Sequence, residues 1–444
     1  MAREGGMAAT DPAGGRPQPP PAYRWAVLVI ISLAMFGNYY AYDCISPLAD
    51  VLKTHLRFSD ENIGLLNAIY SIPNIFMVLV GGIIVDRIGT RKATFFFGVL
   101  CFLGACLTAA TSSLAFMAAG RLVFGLGAES LIVAVTTALA KWFRGKELSF
   151  AFGINLTIAR MGSLAAQMSP TWARPAYEHW QTPLVIAVGF STFCIAAPAL
   201  YWLMENRAER RYALARGGEA EKVVWRDIFK MSPSYWTMVA LCVTFYSAIF
   251  PFQTFAVKFF MEAHGASRET GGQLLAMLTL FAMIATPLFG LMVDKVGRRA
   301  LFMMLGSLLL VPVYLMMGYT SLPLLLPMAM MGVAYSLVPA IMWPSVAYIV
   351  EQRKLGTANG LMTMIQNIGL AGFNLSVGWA NDHWAAGASN PAGYRAGLWI
   401  FSSLGLFGLL FAYLLRRSEM RPGGHGLEWP VPHPPGQAAA SPSP

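Results

Sequence analysis

The stretch Gly82-Ile-Ile-Val-Asp86-Arg87-Ile-Gly89-Thr-Arg91-Lys92 decides the fold, because the chain repeats it 208 residues later as Gly290-Leu-Met-Val-Asp294-Lys295-Val-Gly297-Arg298-Arg299. In each copy an acidic residue ends an apolar stretch, a glycine permits a tight turn, and basic residues follow. Acidic and basic groups at neighbouring helix ends can pair in one state of a protein and separate in another. We therefore predict a gating latch formed by one set in each copy: Asp86, Arg87 and Arg91, then Asp294, Lys295 and Arg298.

The composition indicates a protein that faces lipid. Apolar residues make up 56% of the 444 residues and charged residues only 12%, about half the share of a soluble domain. The net charge of +10 does not indicate nucleic-acid binding, because the basic residues lie in short runs between apolar stretches. The five cysteines fall inside apolar stretches without a CxxC pair, and we expect no cofactor and no metal.

Twelve apolar stretches are long enough to cross a bilayer core of about 30 Å. They predict an all-α polytopic membrane protein with two six-helix bundles, residues 23–204 and 234–417, joined by a charged linker, residues 205–233. The Pro-, Gly- and Ala-rich tails, residues 1–22 and 418–444, are predicted to be disordered. The predicted spans are 24–46, 62–85, 93–113, 116–140, 148–170, 182–204, 234–260, 271–293, 300–319, 322–349, 355–380 and 395–415.

The positions of Lys and Arg predict the orientation of these spans. With a cytoplasmic N-terminus, 24 of the 32 basic residues lie on the inner side and 6 on the outer side. Cytoplasmic loops carry an excess of Lys and Arg. Both termini are therefore predicted to be cytoplasmic.

Ionisable residues at mid-membrane depth are candidates for a functional site, because their burial in lipid is costly. Glu129 and Arg160 are the deepest, each roughly 20 Å from the cytoplasmic interface at about 1.5 Å per residue. They could form a structural ion pair that fastens two spans. Alternatively, they could hold the ammonium and the carboxylate of a small zwitterion, such as a short peptide or an amino acid.

The second half carries no charge at this depth and offers aromatic and amide groups instead: Tyr246, Trp343, Gln366 and Asn367. A tryptophan is more often a packing residue than a ligand contact, but Pro344 interrupts the helix beside Trp343. Amides need hydrogen-bond partners inside a membrane, and a wet cavity supplies them.

The repeated motif resembles the loop signature of the major facilitator superfamily, and the resemblance covers residues 24–417. More specific strings resemble the lysosomal dipeptide uniporters of that superfamily. These strings are Phe36-Gly-Asn-Tyr39-Tyr40-Ala-Tyr42-Asp43, Gly127-Ala-Glu129-Ser130-Leu131, Ala159-Arg160-Met-Gly162-Ser163, Phe250-Pro251-Phe252, Trp343-Pro344 and Gln366-Asn367-Ile-Gly369.

That resemblance implies alternating access around a central site and dipeptide transport without an obligatory driving ion. It implies that Glu129 holds the substrate ammonium and Arg160 the carboxylate. Tyr42 and Trp343 match further pocket positions, Gln366 and Asn367 fall in a matching stretch, and Tyr39 and Tyr246 complete the expected substrate contacts.

Two departures from the lysosomal members change the expected location and partners. The N-terminal tail lacks an acidic dileucine-type address, and the outer loops are short. We therefore expect a monomer in a plasma membrane, as in a bacterial inner membrane, without the accessory glycoprotein subunit of the lysosomal members.

Other functions remain as alternatives. A proton-coupled symporter of peptides, amino acids or other small organic ions is the nearest, although the first span has no E-x-x-E-R string and no histidine lies in a span. The fifth span lacks the glycine- and proline-rich signature of drug exporters, and a sensor that binds without transport is a further alternative. No nucleophile–base constellation indicates an enzyme, so no catalytic residue is expected.

Overall fold

A computed structural model of the protein describes residues 17, 19–143, 147–212, 231–351 and 354–429, apart from the side chains of Leu79, Ser149 and Asp294. Within these ranges the chain is helical, without a β-strand. Its long helical segments are α1 Pro21–Asp43, α2 Asp60–Ile88, α3 Thr90–Ala110, α4 Leu114–Phe143, α5 Leu148–Gln167, α6 (Gln181–Ser191 and Phe193–Arg211), α7 Pro233–His264, α8 Arg268–Val296, α9 Arg299–Tyr319, α10 Leu325–Ile349, α11 Leu355–His383 and α12 Arg395–Glu419. Short helical turns cover Ser46–Leu48, Ala49–Leu56, Ser169–Trp172, Arg174–Glu178 and Pro391–Tyr394.

Most of these helices have the length and composition of a membrane span. Nine segments of the described ranges qualify, and α2 makes a tenth if its two pieces, which meet at a bend of 53°, are taken together. The other two long helices, α5 and α11, carry Arg160, Gln366 and Asn367, which line a central cavity. The count of twelve spans and the cytoplasmic position of both termini stay predictions.

The helix contacts reproduce the internal repeat that the sequence motif indicates. In the first half α3 packs on α4 and α6, α2 on α4, and α1 on α5 and α6. Each pair has its counterpart six helices later: α9 packs on α10 and α12, α8 on α10, and α7 on α11 and α12. The two halves meet where α2 packs on α11 and α5 on α8, which are again equivalent pairs.

The repeated motif forms the same turn in both halves. Gly89 and Gly297 adopt positive φ angles of 81° and 69°, a conformation that a side chain disfavours. The N–H of each glycine donates to the carbonyl of the residue four positions earlier, at 2.9 and 2.7 Å. The motif therefore ends α2 and α8 in a tight turn.

The two halves pack against each other at one end of the bundle. We call it the outer end, following the charge-based orientation; it contains residues 44–60, the start of α8 and the end of α11. The larger of two buried apolar clusters includes Leu48 and Phe58 of the first half together with Phe260 and Val377 of the second. The smaller cluster lies wholly within α1–α6. The described parts of the two halves are therefore joined mainly at the outer end.

A buried ionic cluster joins the halves at this end. Lys258 of α7 and Asp60 of α2 are both fully buried, and Lys258 Nζ lies 2.7 and 2.6 Å from the two carboxylate oxygens of Asp60. Lys53 contacts Asp60 at 3.4 Å. Asp382 of α11 accepts hydrogen bonds from the backbone N–H groups of Asp60 and Glu61 at 2.8 and 2.7 Å, so it caps α2 from the opposite half.

Some predicted boundaries are wrong. Helix α6 continues to Arg211, which places the first part of the predicted linker in a helix, and α7 begins at Pro233. Residues 213–230 of that linker lie outside the described residues. The predicted disordered N-terminal tail lies mostly outside them as well, and α1 begins inside it at Pro21.

The predicted disorder of residues 418–444 is wrong for residues 418–429. Helix α12 ends only at Glu419, and the following segment folds back onto α9. Leu427 is fully buried, and the backbone N–H of Arg299 donates to its carbonyl at 2.9 Å. Glu428 accepts from the N–H of Ala300 at 3.1 Å, so this segment satisfies the free N–H groups at the start of α9. Residues 430–444 lie outside the described residues.

Candidate functional site

A cavity of about 290 Å³ lies between the two halves. Its walls come from α1, α2, α4 and α5 on one side and from α7, α8, α10 and α11 on the other. Every residue predicted to contact the substrate lies in this lining: Tyr39, Tyr42, Glu129, Arg160, Tyr246, Trp343, Gln366 and Asn367.

Glu129 and Arg160 line the same cavity without forming an ion pair with each other. No carboxylate oxygen of the described residues lies within 4.0 Å of the Arg160 guanidinium, and Glu129 makes no hydrogen bond or ion pair within that part of the chain. Arg160 instead donates from Nη1 to the hydroxyl oxygen of Tyr335 on α10 at 2.8 Å. The two charged side chains are thus available to a ligand between them.

The Arg160 guanidinium lies near two aromatic rings. Its central carbon lies 5.8 Å from the ring centre of Tyr39 and 5.5 Å from that of Tyr335. Cation–π attraction of this kind fixes a guanidinium without using up its donors. Arg160 therefore keeps N–H donors for a planar, bidentate partner such as a carboxylate.

Asp43 is a third charged group in the lining. It follows Tyr42 at the end of α1 and also lines a small neighbouring space towards the outer end. The sequence marks Asp43 as an ionisable residue within a span, but residue type and depth alone did not assign it to the substrate site. The cavity therefore presents two carboxylates and one guanidinium.

The wall from the second half is an aromatic group held by hydrogen bonds and stacking. Trp343 Nε1 donates to the Tyr246 hydroxyl at 2.9 Å. The Tyr246 ring stacks on Phe250 with centroids 5.6 Å apart, and Phe250 meets the ring of Tyr335 edge-on at 6.0 Å. Trp343 is therefore both a packing residue and part of the cavity wall.

The side-chain amides of Gln366 and Asn367 on α11 make few hydrogen bonds within the described residues. Asn367 Nδ2 donates to the carbonyl of Thr363 at 3.0 Å. Within the part of the chain that the structure describes, Gln366 Oε1 accepts only a thiol contact from Cys242 at 3.6 Å. Both side chains keep hydrogen-bonding capacity that faces the cavity.

Towards the outer end, hydrogen bonds between the halves close the cavity. Thr279 of α8 donates to Gln167 of α5 at 2.7 Å. Asn67 of α2 donates to Thr254 of α7 at 2.9 Å, and Thr254 donates to Asn374 of α11 at 2.8 Å. With the buried ionic cluster beyond them, these bonds close the outer side.

Arg121, the buried basic residue of α4, has a structural role at this level. It donates to the carbonyls of Ala41 and Leu66 at 3.1 and 3.3 Å and to Asn67 Oδ1 at 2.8 Å. Its side chain thereby ties α1, α2 and α4 together and orients Asn67 for the contact with the second half.

Among the described residues of the predicted gating latch, no acidic side chain pairs with a basic residue of the latch. Asp86, Arg87, Lys295 and Arg298 are exposed, and Asp86 makes no ion pair with any residue in the described ranges. Arg91 contacts Glu209 of α6 at 2.5 Å, within its own half. The side chain of Asp294 lies outside the described residues. The outer end is thus closed, and the described side chains of Asp86, Arg87, Lys295 and Arg298 are exposed at the opposite end.

Comparisons with known proteins agree with this architecture. A sequence profile described as Major Facilitator Superfamily matches residues 31–257 and 252–437. The lysosomal dipeptide transporter MFSD1 of Danio rerio is 32% identical over 371 residues, with 80% of each chain covered. The protein of the same name from Homo sapiens is 31% identical over 416 residues, which cover 90% of this chain and 87% of the human one.

Solved structures share the fold at low sequence identity. A bacterial homologue of the human lysosomal transporter Spinster, in an inward-facing and unoccupied conformation, superposes with a TM-score of 0.74 at 17% identity and covers 90% of this chain and 98% of its own. The nucleoside transporter NupG gives a TM-score of 0.71 at 12% identity, with 88% and 98% covered. From its sequence match, its repeated helix packing and its central cavity, the chain belongs to the major facilitator superfamily, as a membrane transporter related to MFSD1.

Proposed function

We propose that the protein is a dipeptide uniporter in which Glu129 binds the substrate ammonium and Arg160 the substrate carboxylate. The observation that carries this proposal is that both side chains line one cavity and neither pairs with the other. A structural ion pair would need them within about 4 Å of each other, so the unpaired arrangement favours a ligand between them.

The dimensions of a dipeptide suit this arrangement. Neighbouring helix axes run about 8–10 Å apart, and the two ends of an extended dipeptide are separated by roughly one to two Cα spacings of 3.8 Å. A free ammonium and a free carboxylate could therefore reach α4 and α5 together. The side chains of the substrate would face Tyr246, Trp343 and the amides of the second half, where the contacts are less specific.

Alternating access would take place around this cavity. The Thr279–Gln167 and Asn67–Thr254 contacts and the Lys258–Asp60 cluster join the halves at the outer end. Release of the substrate to the outside would require all of them to separate. The exposed Asp86 and Arg87 at the opposite end are suited to form the latch when that end closes.

Transport without a coupled ion is the part of the proposal that rests on the resemblance to the dipeptide uniporters. No histidine belongs to the cavity lining, but Asp43 and Glu129 are carboxylic acids that could carry a proton. Dipeptide flux into proteoliposomes, measured with and without an imposed pH gradient, separates the two mechanisms. Uniport predicts flux down the dipeptide gradient at equal pH, and a strict requirement for the pH gradient would favour the proton-coupled symporter.

The site itself is tested by thermal stabilisation of the purified protein. We expect a free dipeptide to raise the midpoint of unfolding, and the N-acetylated and C-amidated forms of the same dipeptide to raise it much less. Equal stabilisation by free and end-blocked forms would leave Glu129 and Arg160 without a role in binding. Radiolabelled flux of the same compounds distinguishes a transporter from a sensor that only binds.

We further propose that the protein acts as a monomer in a plasma membrane, as in a bacterial inner membrane, without an accessory glycoprotein subunit. The short connections at the outer end support the absence of that subunit, because they leave little surface for it. Only a few residues outside helices join α1 to α2 and α7 to α8. Chromatography in detergent with light scattering measures the number of chains in each particle.

A further inference from the structure

A tyrosine of the second half touches the residue proposed to grip the substrate. Tyr335 lies on α10, and its hydroxyl oxygen accepts from Arg160 Nη1 at 2.8 Å, although 175 positions separate the two residues. This contact crosses from one half of the transporter to the other at the level of the cavity. Motif and depth did not indicate it, because Tyr335 is an aromatic residue in an apolar helix.

The second half holds Tyr335 in a fixed position. The side chain is only 3% exposed, and its ring meets Phe250 edge-on with an interplanar angle of 80°. Phe250 stacks on Tyr246, which in turn accepts from Trp343. The hydroxyl is thus positioned by an aromatic group that belongs wholly to the second half.

The O–H group of Tyr335 is free to donate a hydrogen bond within the described ranges. It accepts from Arg160, but within the described ranges its own O–H finds no acceptor. A hydroxyl both donates and accepts, whereas a guanidinium only donates. An anion bound to Arg160 would bring an acceptor oxygen next to the unused O–H donor.

We propose that Tyr335 is a further substrate-binding residue, which donates a hydrogen bond to the same substrate carboxylate that Arg160 binds. This inference rests on the proposed function. The carboxylate would be held by one group from each half, Arg160 from the first and Tyr335 from the second. Substrate binding would then link the two halves directly and favour their joint movement.

The test is the Tyr335→Phe variant, which removes the hydroxyl and keeps the ring. Affinity for a free dipeptide and for its C-amidated form is measured by thermal shift and competition flux in the full-length protein. Because a hydrogen bond to a charged group contributes about 1.5–3 kcal/mol, we expect the affinity for the free dipeptide to fall by about tenfold to a hundredfold. Affinity for the C-amidated form should change little, so the discrimination between the two forms falls.

Tyr314→Phe is the matched control. Tyr314 is a fully buried tyrosine of α9 whose hydroxyl donates to the carbonyl of Ala248 at 2.6 Å. Neither tyrosine is itself a lining residue of the cavity, but Tyr335 contacts Arg160 of the lining, whereas Tyr314 does not. Its loss should lower stability without changing the ratio of affinities for free and amidated dipeptide. An equal change of this affinity ratio in Tyr335→Phe and Tyr314→Phe would overturn the inference, because the change would then be a general effect of losing a buried hydroxyl.

The outcomes for the parent protein and the variant separate the two proposals. If the parent protein does not distinguish free from C-amidated dipeptides, the proposed carboxylate site itself is wrong. If the parent distinguishes them and Tyr335→Phe distinguishes them equally well, the carboxylate site stands and the role of Tyr335 is wrong.

Discussion

The substitution Lys258→Met is expected to open the outer end of the transporter. Lys258 Nζ lies 2.7 and 2.6 Å from the Asp60 oxygens, and both side chains are fully buried. The two residues belong to opposite halves, so an outward-facing conformation must separate them. The substitution keeps the length and volume of the side chain but leaves the Asp60 carboxylate buried without its main counter-ion.

The size of the effect follows from the burial of the pair. Removing one partner of a buried ion pair costs about 3–5 kcal/mol, because an uncompensated charge stays in the interior. Opening the outer end would hydrate Asp60 and remove this penalty from the outward-facing state alone. Since each 1.4 kcal/mol is about a factor of ten, the ratio of outward-facing to inward-facing protein should rise by roughly a hundredfold to several thousandfold.

The assay is a distance measurement between spin labels at His55 and Ser389, which are exposed at the outer end of the two halves. The native cysteines are replaced first. The parent protein should give a short distance, and Lys258→Met a longer one. The double variant with Asp60→Leu should return to the short distance, because an apolar pair in place of a buried ion pair is often neutral or stabilising.

Lys53→Met is the control for a general effect of lost charge. Lys53 also contacts Asp60, but at 3.4 Å and with a side chain 30% exposed. Solvent screening limits such a contact to about 1 kcal/mol or less, so the distance should change little. An unchanged distance in Lys258→Met, or an equal change in both variants, would refute this account of the outer end.

Three further predictions concern the helix crossing, the C-terminal segment and the substrate site. A Cβ atom added to Gly64 would lie 2.4 Å from a carbonyl oxygen of α11, whereas one added to Gly372 would meet nothing within 4 Å; we therefore expect Gly64→Ala, but not Gly372→Ala, to lengthen the spin-label distance. The hydrogen bond with Glu419 raises the pKa of His425 above its usual value near 6.5. The charged form of His425 therefore stabilises the protein fully below pH 6.5, and this stabilisation is lost as the pH rises through the raised pKa. The midpoint of unfolding should accordingly differ more between parent and His425→Gln at pH 6 than at pH 9, and equal differences would contradict this role. Glu129→Gln should abolish the preference for a free over an N-acetylated dipeptide in the thermal-shift panel while keeping the preference for a free carboxylate; loss of both preferences would indicate a general distortion of the cavity.

The sequence was informative about the cavity because charges inside a membrane are rare. Glu129 and Arg160 stand out in their spans by residue type alone, and the repeated motif relates the two halves. Aromatic and amide residues of α7, α10 and α11 lack so clear a signal, and the resemblance to the dipeptide uniporters added several of them.

The outer closure could not be predicted in the same way. Asp60 and Lys258 are 198 positions apart, and each lies near the end of an apolar stretch, where a charge ordinarily faces water. The charge count placed Lys258 among the outer charges and gave no sign of its burial. Asp382 caps α2 from the other half, and a cap of this kind leaves no local pattern in either segment.

The C-terminal segment shows a related limit. Its proline and glycine content indicated disorder, yet Leu427 is buried and Glu428 caps the start of α9. Composition describes what a segment can do alone. A docking site formed by distant helices can order it all the same.

The outer closure also has a consequence for the rate of transport. Under the proposed uniport mechanism no ion gradient would help to separate Lys258 from Asp60, so the empty carrier would have to break this buried pair each time it reorients outward. Ion pairs that exposed residues such as Asp86 could form at the inner end contribute about 0–1 kcal/mol each and offset little of this penalty. A bound dipeptide adds contacts to both halves, and the loaded carrier should therefore reorient faster than the empty one. Dipeptide on the opposite side of the membrane should then accelerate radiolabelled flux several-fold over net transport, and Lys258→Met should reduce that acceleration. Equal rates of exchange and net transport in the parent protein would mean that separation of the buried pair does not limit the cycle.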